Sequence, residues 1–184
     1  MPWNARLDHE VGRLKSDPDG DLTLPCGKCF ECIKLRAMDW ALRCQHEMSL
    51  HDDSCFITLS YDDDNLPSHL IVKDEFQKFL KRLRKRIKKK ISYIVSHEYG
   101  SKNFRPHHHA IIFGFSPKDQ RYLRTSKSGH PLFTSDLLSD LWTLGFHSIG
   151  EANAKTAYYI ASYALKGKKH EISLPDGSEL EVSD

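Results

Sequence analysis

Two groups of side chains in this chain have the chemistry to act on a phosphate ester. His107, His108 and His109 stand in a row before an apolar run, and Tyr159 and Tyr163 lie four positions apart further on. Residues two apart on a strand point to one face, so the rings of His107 and His109 can bind one cation. Residues four apart on a helix also share a face. A metal centre with two phenols would suit the breaking and rejoining of a phosphodiester backbone.

The histidines gain a third candidate ligand if two neighbouring strands form a hairpin. Strand-forming residues occupy 91–99 and 107–115 with a short turn between them, which would bring Glu98 toward the face of His107 and His109. Two imidazoles and one carboxylate bind a divalent ion such as Mn²⁺ or Mg²⁺ and leave positions open for water and substrate. The alternative is a histidine cluster that only decorates the end of a loop.

The tyrosines also allow two interpretations. Lys166 falls on their helix face, where it could stabilise a phenolate or hold a phosphate. Attack by Tyr163 would give a 5′-phosphotyrosine and a free 3′-hydroxyl, and Tyr159 could then attack a second strand. Tyrosines and a lysine at this spacing also commonly pack together without any catalytic role. Spacing alone leaves both interpretations open.

Size and composition indicate one globular domain. The chain has 184 residues, of which 39% are apolar and 28% charged, far from the balance of a disordered chain. Nothing approaches a membrane span, and the N-terminus lacks the apolar run of a secretion signal, so the cytoplasm is the expected compartment. Five cysteines, an odd number, argue against a disulfide framework.

Periodicity and turn residues predict an α+β fold, with an antiparallel sheet and helices on one of its faces. Residues 1–25 are expected to be an irregular N-terminal segment, 116–133 a long basic loop or small excursion, and 169–184 a polar C-terminal tail. The predicted helices are 30–48, 74–90, a short one after Thr134, and 154–167, and the predicted strands are 55–61, 91–99, 107–115 and 146–150.

A basic helix is a candidate surface for DNA. The sequence KFLKRLRKRIKKK keeps an apolar stripe at helical spacing and leaves a basic back, which either contacts backbone phosphates or is only a solvated face. The candidate contacts are Lys81, Arg84, Lys85 and Lys88 of this helix, and Lys102 and Arg105 of the turn before the histidines.

Three cysteines have the spacing of a metal site. Cys26, Cys29 and Cys32 at C-x₂-C-x₂-C spacing could give three thiolates to a structural Zn²⁺, with Cys44 or His46 as the fourth ligand. Cys44 also falls on the apolar stripe of its helix, which favours plain burial.

The motifs taken together resemble a known family. Arg-Pro-His-x-His, a preceding Glu-Tyr-Gly and a following Tyr-x₃-Tyr-x₂-Lys are similar to the HUH endonucleases, specifically the replication initiators of microviruses and their gokushovirus branch. Further similar segments are Pro25–Cys32, Trp40–Glu47, Phe56–Asp63 and Leu141–Phe146. The resemblance runs from about residue 24 to 168, and it is the joint presence of these motifs in this order that is specific.

The resemblance implies a five-stranded antiparallel sheet with helices packed on it, and an endonuclease domain over residues 26–168. It also implies rolling-circle initiation by nicking of single-stranded origin DNA of a phage, in the cytoplasm of a bacterial host, where the host replication machinery could be a partner. By position, His107 and His109 would hold the metal with Glu98 as third ligand. Tyr163 and Tyr159 would be the nucleophiles and Lys166 their partner. The family usually has a bulky hydrophobic residue where this chain has His108, which leaves open which pair of histidines binds.

Two other functions remain as alternatives. One is a non-catalytic nucleic-acid-binding module stabilised by metal, which would use the basic helix for phosphates. The other is a transposase or a plasmid-mobilisation relaxase with the same chemistry. The paired tyrosines and the phage-like flanking motifs count against this last class.

Overall fold

The computed structural model of the chain describes residues 25–67, 71–100, 104–166, 169–173 and 179–183. The predicted N-terminal segment 1–25 lies outside these ranges except for its last residue. The helices are α1 Phe30–Ser49, α2 Lys73–Ile87, α3 Asp136–Leu141 and α4 Ala154–Lys166, and the strands are β1 Ser54–Tyr61, β2 Ser92–Tyr99, β3 Pro106–Phe113, β4 Arg121–Thr125, β5 Pro131–Thr134, β6 Gly145–Glu151, β7 Lys169–Ser173 and β8 Glu179–Ser183. Among the described helices, none combines the length and the apolar character needed to cross a membrane.

The main sheet confirms the α+β prediction and contains one strand more than the family resemblance implied. Its six antiparallel strands have the order β2-β3-β1-β6-β5-β4. Four of the six strands were predicted from the sequence. The other two, β4 and β5, form a hairpin over residues 121–134, most of it in the segment 116–133 that was predicted as a long basic loop or a small excursion. All five residues of β4 are exposed, so no apolar alternation marked it as a strand. Within the predicted polar tail, β7 and β8 pair as a separate two-stranded sheet.

Helices cover both faces of the sheet, and the prediction that they cover one was wrong. Side chains of α2 and α3 pack against one face, where β1 contributes Ile57 and Leu59. Helices α1 and α4 pack on the other face against Ile111 and Phe113 of β3. The consecutive apolar residues Ala110–Phe113 are all buried, as expected for a strand with both faces covered.

The strand register brings the candidate chemistry to one place. In the predicted hairpin of β2 and β3, Glu98 lies directly opposite His107. On the other side of β3, Thr58 of β1 lies opposite His109. Residues directly opposite each other in antiparallel strands have side chains on the same face. Glu98, His107, His109 and Thr58 therefore all point toward the face covered by α1 and α4.

Gly145 allows β6 to begin against the end of β1. It has φ +147°, and a Cβ atom there would lie 2.2 Å from the backbone nitrogen of Asp62 and 2.5 Å from the carbonyl carbon of Tyr61. Both neighbours are backbone atoms, which cannot move aside without breaking the pairing of β1 with β6.

We expect Gly145→Ala to lower the free energy of unfolding by about 3 kcal/mol, through backbone strain and the clash with β1. Gly129→Ala is the matched control, because Gly129 also has positive φ, +82°, but nothing within 4 Å of a built Cβ. Its cost should be only about 1 kcal/mol. Urea unfolding of both variants measures the difference, and equal losses would contradict the close approach.

Candidate active site

Glu98, His107 and His109 form a compact group on the face of the sheet covered by α4. The Oε2 atom of Glu98 is 4.0 Å from His107 Nε2 and 3.9 Å from His109 Nε2. The side chains of the three are 4%, 19% and 12% exposed, so the group is largely shielded from water but open on one side. All three ligand atoms lie within 4.8 Å of one another.

Neighbouring polar groups hold each of these side chains in place. The Nδ1 atom of His107 lies 3.1 Å from the carbonyl oxygen of Arg105. A carbonyl can only accept, so Nδ1 carries a proton, and Nε2 is the ring nitrogen that faces Glu98. Thr58 Oγ1 contacts His109 Nδ1 at 2.9 Å, and Ser96 donates to Glu98 Oε1 at 2.8 Å. Such outer contacts orient the ligands of a metal.

The donor set fits a divalent cation. Two atoms that are each about 2.1 Å from one ion lie at most about 4.2 Å apart, and the carboxylate oxygen meets this limit with both imidazoles. Burial lowers the pKa of His109 to about 3, ahead of smaller contributions from the neighbouring histidines. His109 is therefore neutral at ordinary pH, the form that binds a metal. The structure thus contains a group able to hold a metal, although it does not identify the ion.

The structure places Tyr159, rather than Tyr163, against this group. The Tyr159 hydroxyl donates to Glu98 Oε2 at 3.1 Å and lies 3.5 Å from His109 Nε2. The rings of Tyr159 and Tyr163 have centroids 4.7 Å apart, so both phenols lie on one face of α4 as the spacing predicted. Lys166 is the last residue of α4, and its side chain lies outside the described part of the structure.

Without a cation, the surroundings keep Tyr159 protonated. Burial raises the pKa of its phenol, and the negative charge of Glu98 and the neighbouring Tyr163 raise it further. An anionic nucleophile at this position therefore needs positive charge beside Glu98.

His108 points to the opposite face of β3. It is fully buried and accepts or donates hydrogen bonds at 2.9 Å with the Tyr61 hydroxyl and at 2.7 Å with His97 Nδ1. Burial lowers the pKa of His108 to about 3 and that of His97 to about 4. The polar ring thus occupies the core position that the family usually gives to a hydrophobic residue, and hydrogen bonds satisfy it there.

A cleft of about 620 Å³ opens from the site between α4 and the hairpin of β4 and β5. His109 and Tyr159 belong to its lining, so cleft and site are continuous. Phe56 lines it with an aromatic ring, and Arg124 and Lys155 bring positive charge. Phe133 also borders the cleft, but its ring packs against the core on the other face of the sheet. Its remaining lining residues are Thr58, Ser126, Ser128, His130, Pro131, Leu132, Ser148, Gly150, Glu151, Asn153 and Thr156.

The basic residues predicted to contact DNA are not part of this site. Helix α2 packs on the other face of the sheet from Glu98. It carries Lys81, Arg84 and Lys85, and Lys88 is its C-cap residue; all four side chains are exposed. Arg84 also bonds the carbonyl oxygen of Ile91 at 3.3 Å. DNA binding by these four residues stays a prediction, and their distance from the Glu98 group does not support it.

The two turn residues predicted to bind DNA have different outcomes. Lys102 lies outside the described residues. The guanidinium of Arg105 donates to the carbonyl oxygen of Tyr61 at 2.9 Å and to Asp63. The carbonyl oxygen of Arg105 also accepts a hydrogen bond from His107 Nδ1. Arg105 therefore links β3 to the end of β1, which is a structural role.

The structure brings three of the four predicted zinc ligands together. Cys26, Cys29 and Cys32 have their sulfur atoms within 4.8 Å of one another. The backbone N–H groups of Lys28 and then Cys29 lower the pKa of the Cys26 thiol to about 7. Cys44 does not join them, because it is buried between α1 and α4.

The sequence analysis missed Thr58, Ser96 and the cleft. Thr58 and Ser96 are polar positions among strand-forming residues. A sequence analysis that assumed the pairing of β1 and β2 with β3 would have placed both beside Glu98 and the two histidines. Arg124 had no comparable signal, because its strand was not predicted.

Comparison with known proteins relates the chain to phage replication proteins. Residues 54–168 match the family model of the replication-associated protein ORF2/G2P. Replication-associated protein VP4 of Bdellovibrio phage phiMH2K is 37% identical over 79% of this chain and 49% of its own length. Replication-associated protein ORF4 of Chlamydia phage 1 is 34% identical over 78% of this chain and 38% of its own length. Replication-associated protein ORF2 of Spiroplasma virus 4 is 33% identical over 88% of this chain and 52% of its own length. The chain thus spans about half the length of these relatives, and no solved structure matches at a significant level.

We expect His108→Ala to lower the free energy of unfolding by about 2–4 kcal/mol, because it leaves a cavity and removes partners from Tyr61 and His97. His107→Ala, on the half-open face, should cost less than about 1 kcal/mol. Urea unfolding in the presence of a chelator measures both losses of unfolding free energy without a contribution from metal binding. A larger loss for His107→Ala would mean that the strand register is off by one residue.

Proposed function

The chain belongs to the replication-associated protein ORF2/G2P family, and on this basis we propose that it initiates phage DNA replication by nicking single-stranded origin DNA through tyrosine attack. The observation that carries the proposal is the Tyr159 hydroxyl, which donates to Glu98 Oε2 beside the Nε2 atoms of His107 and His109. A phenol held at a two-histidine, one-carboxylate group is the arrangement expected for metal-assisted transfer of a phosphodiester.

The chain's residues have separate tasks in the proposed reaction. Glu98, His107 and His109 would hold Mn²⁺ or Mg²⁺, which when bound would polarise the scissile phosphate and offset charge on the leaving oxygen. Tyr159 would form a bond from its phenol oxygen to phosphorus while the bond to the 3′-oxygen breaks. The proton lost from the phenol balances the proton gained by the new 3′-hydroxyl. The 5′-phosphotyrosine keeps the bond energy for rejoining.

Tyr163 would be the second nucleophile. Its ring is next to that of Tyr159, so a small shift of substrate could bring a second strand to it while Tyr159 is esterified. This order reverses the one expected from the sequence, which put Tyr163 first. Lys166, one turn further along α4, remains the proposed partner for the phenolate or phosphate.

The cleft is the proposed path of the single strand. Phe56 offers a ring on which a base can stack, and Arg124 and Lys155 can contact phosphates. A strand lying there would lead directly to His109 and Tyr159. We place the endonuclease domain within residues 26–168, as the family motifs do.

Tyr159→Phe should reduce the first cleavage by at least about 10³-fold, because it removes the nucleophile, whereas Tyr163→Phe should keep it and lose the cleavage of a second strand. The assay incubates the protein with Mn²⁺ and a pool of single-stranded oligonucleotides with a randomised core. Adducts that survive denaturation are then counted and sequenced, and mass spectrometry of the modified peptide identifies the tyrosine.

His109→Ala serves as the metal control and should give no adduct while it retains DNA binding. Absence of an adduct with every divalent metal tried would overturn the proposed chemistry. An adduct on Tyr163 in the wild type would instead show that the order of the two tyrosines is the one expected from the sequence.

Lys155→Ala should weaken binding of single-stranded DNA roughly fivefold at 0.1 M salt and lower the salt slope by about 0.7, because one phosphate contact is lost. Lys81→Ala is the matched control, an exposed lysine on the opposite face of the sheet. Fluorescence anisotropy at several salt concentrations measures both. A larger effect at Lys81 would move the DNA path to α2.

A further inference from the structure

A second group of potential metal ligands lies at the start of α1, apart from the site above. The Sγ atoms of Cys26 and Cys32 are 3.8 Å apart, and Cys29 completes a set within 4.8 Å. The three cysteines are free thiols. Three thiols that converge at this distance match the ligand set of a tetrahedral zinc site, in which each sulfur lies about 2.3 Å from the ion.

The backbone around Cys26 is folded as it would be around a metal-bound thiolate. The N–H groups of Lys28 and Cys29 donate to Cys26 Sγ at 3.5 and 3.2 Å. Gly27 has φ +76°, a value that allows the chain to turn back so that both N–H groups face the sulfur. Hydrogen bonds from N–H groups to sulfur favour the charged form that binds a metal.

The beginning of α1 supplies a further favourable field. Cys29 is the N-cap residue of α1, and its side chain makes no capping hydrogen bond, so the thiol does not cap the start of the helix. Cys32 lies in the first turn. The positive end of the helix dipole favours negative charge there. The N–H of Cys32 also lowers the pKa of Cys29, but the thiols of Cys32 and Cys26 outweigh it and raise the pKa to about 11.

We propose that Cys26, Cys29 and Cys32 bind one zinc-class cation as a structural centre that is separate from the Glu98 group. Cys44 is not the fourth ligand, because it lies twelve residues after Cys32 on the same helix, about 18 Å along its axis. Among the described residues, no fourth histidine, cysteine or carboxylate joins the three. The fourth position is thus left to a donor outside this group.

The proposed ion would fix the chain entering α1. Cys26 and Cys29 precede or begin the helix and Cys32 belongs to it, so one ion would tie the turn to the first helical turn. Helix α1 packs along α4, which carries Tyr159. The role of the centre is therefore to stabilise a helix that supports the nucleophile, without contact to substrate.

Cobalt(II) distinguishes this centre from the histidine site, because thiolate ligands give a strong near-ultraviolet charge-transfer band that imidazole and carboxylate ligands do not. The reduced full chain should develop this band up to one equivalent of Co²⁺ and lose it when Zn²⁺ is added. The Cys26→Ser, Cys29→Ser double variant should show no band, and His109→Ala should keep it. Neither Cys26 nor Cys29 is buried, so the double variant should stay folded by circular dichroism.

A chelator should lower the melting temperature of the wild type by about 5 °C and leave that of the double variant unchanged. The absence of a band in the wild type, or its persistence in the double variant, would overturn the proposal. Loss of the band in His109→Ala would show that the two groups are not separate, and it would overturn the proposal as well. DNA cleavage is not measured, so these results are independent of the proposed nicking activity.

Discussion

The pairing of Glu98 with His107 across β2 and β3 is the contact on which the site depends. Side chains alternate along a strand, so a shift of one residue would turn His107 and His109 into the core and bring His108 to the helix α4 face. The fully buried ring of His108, bonded to Tyr61 and His97, opposes that shift, because its removal from the core would leave both partners unsatisfied. The core on one face of β3 thereby maintains the chemistry on the other.

Charge explains why the proposed reaction needs a cation at this site. Glu98 is almost fully buried, and burial keeps the imidazole of His109 neutral, so the negative charge of Glu98 acts directly on the Tyr159 phenol. The same carboxylate that holds the hydroxyl in place disfavours its ionisation. A divalent ion between Glu98 and the two histidines would reverse the sign of the local field, so binding of the ion and activation of the nucleophile are coupled.

Local patterns predicted those parts of the site that depend on alternation or helical spacing. The opposite directions of His107 and His108 follow from a strand, and the shared face of the two tyrosines follows from a helix. The choice between Tyr159 and Tyr163 depends on how α4 packs on the sheet, and local sequence patterns do not determine that packing. Cys44 had the right chemistry but was too far along its helix, and Arg124 lay on an exposed strand without apolar alternation. The resemblance to phage replication proteins is confirmed by the family match.

The order of the strands also bears on when the site can form during folding. The first strand, β1, lies in the middle of the sheet, where Phe56 pairs with Gly150 of β6, and α4 follows β6 in the chain. Contacts so far apart in sequence close large loops and form slowly. Glu98, His107 and His109 come from one local hairpin, whereas the Tyr159 phenol comes from α4, which follows the distant strand β6. The candidate ligands and the candidate nucleophile therefore depend on contacts of different range in the sequence, and the proposed cutting activity needs both kinds of contact.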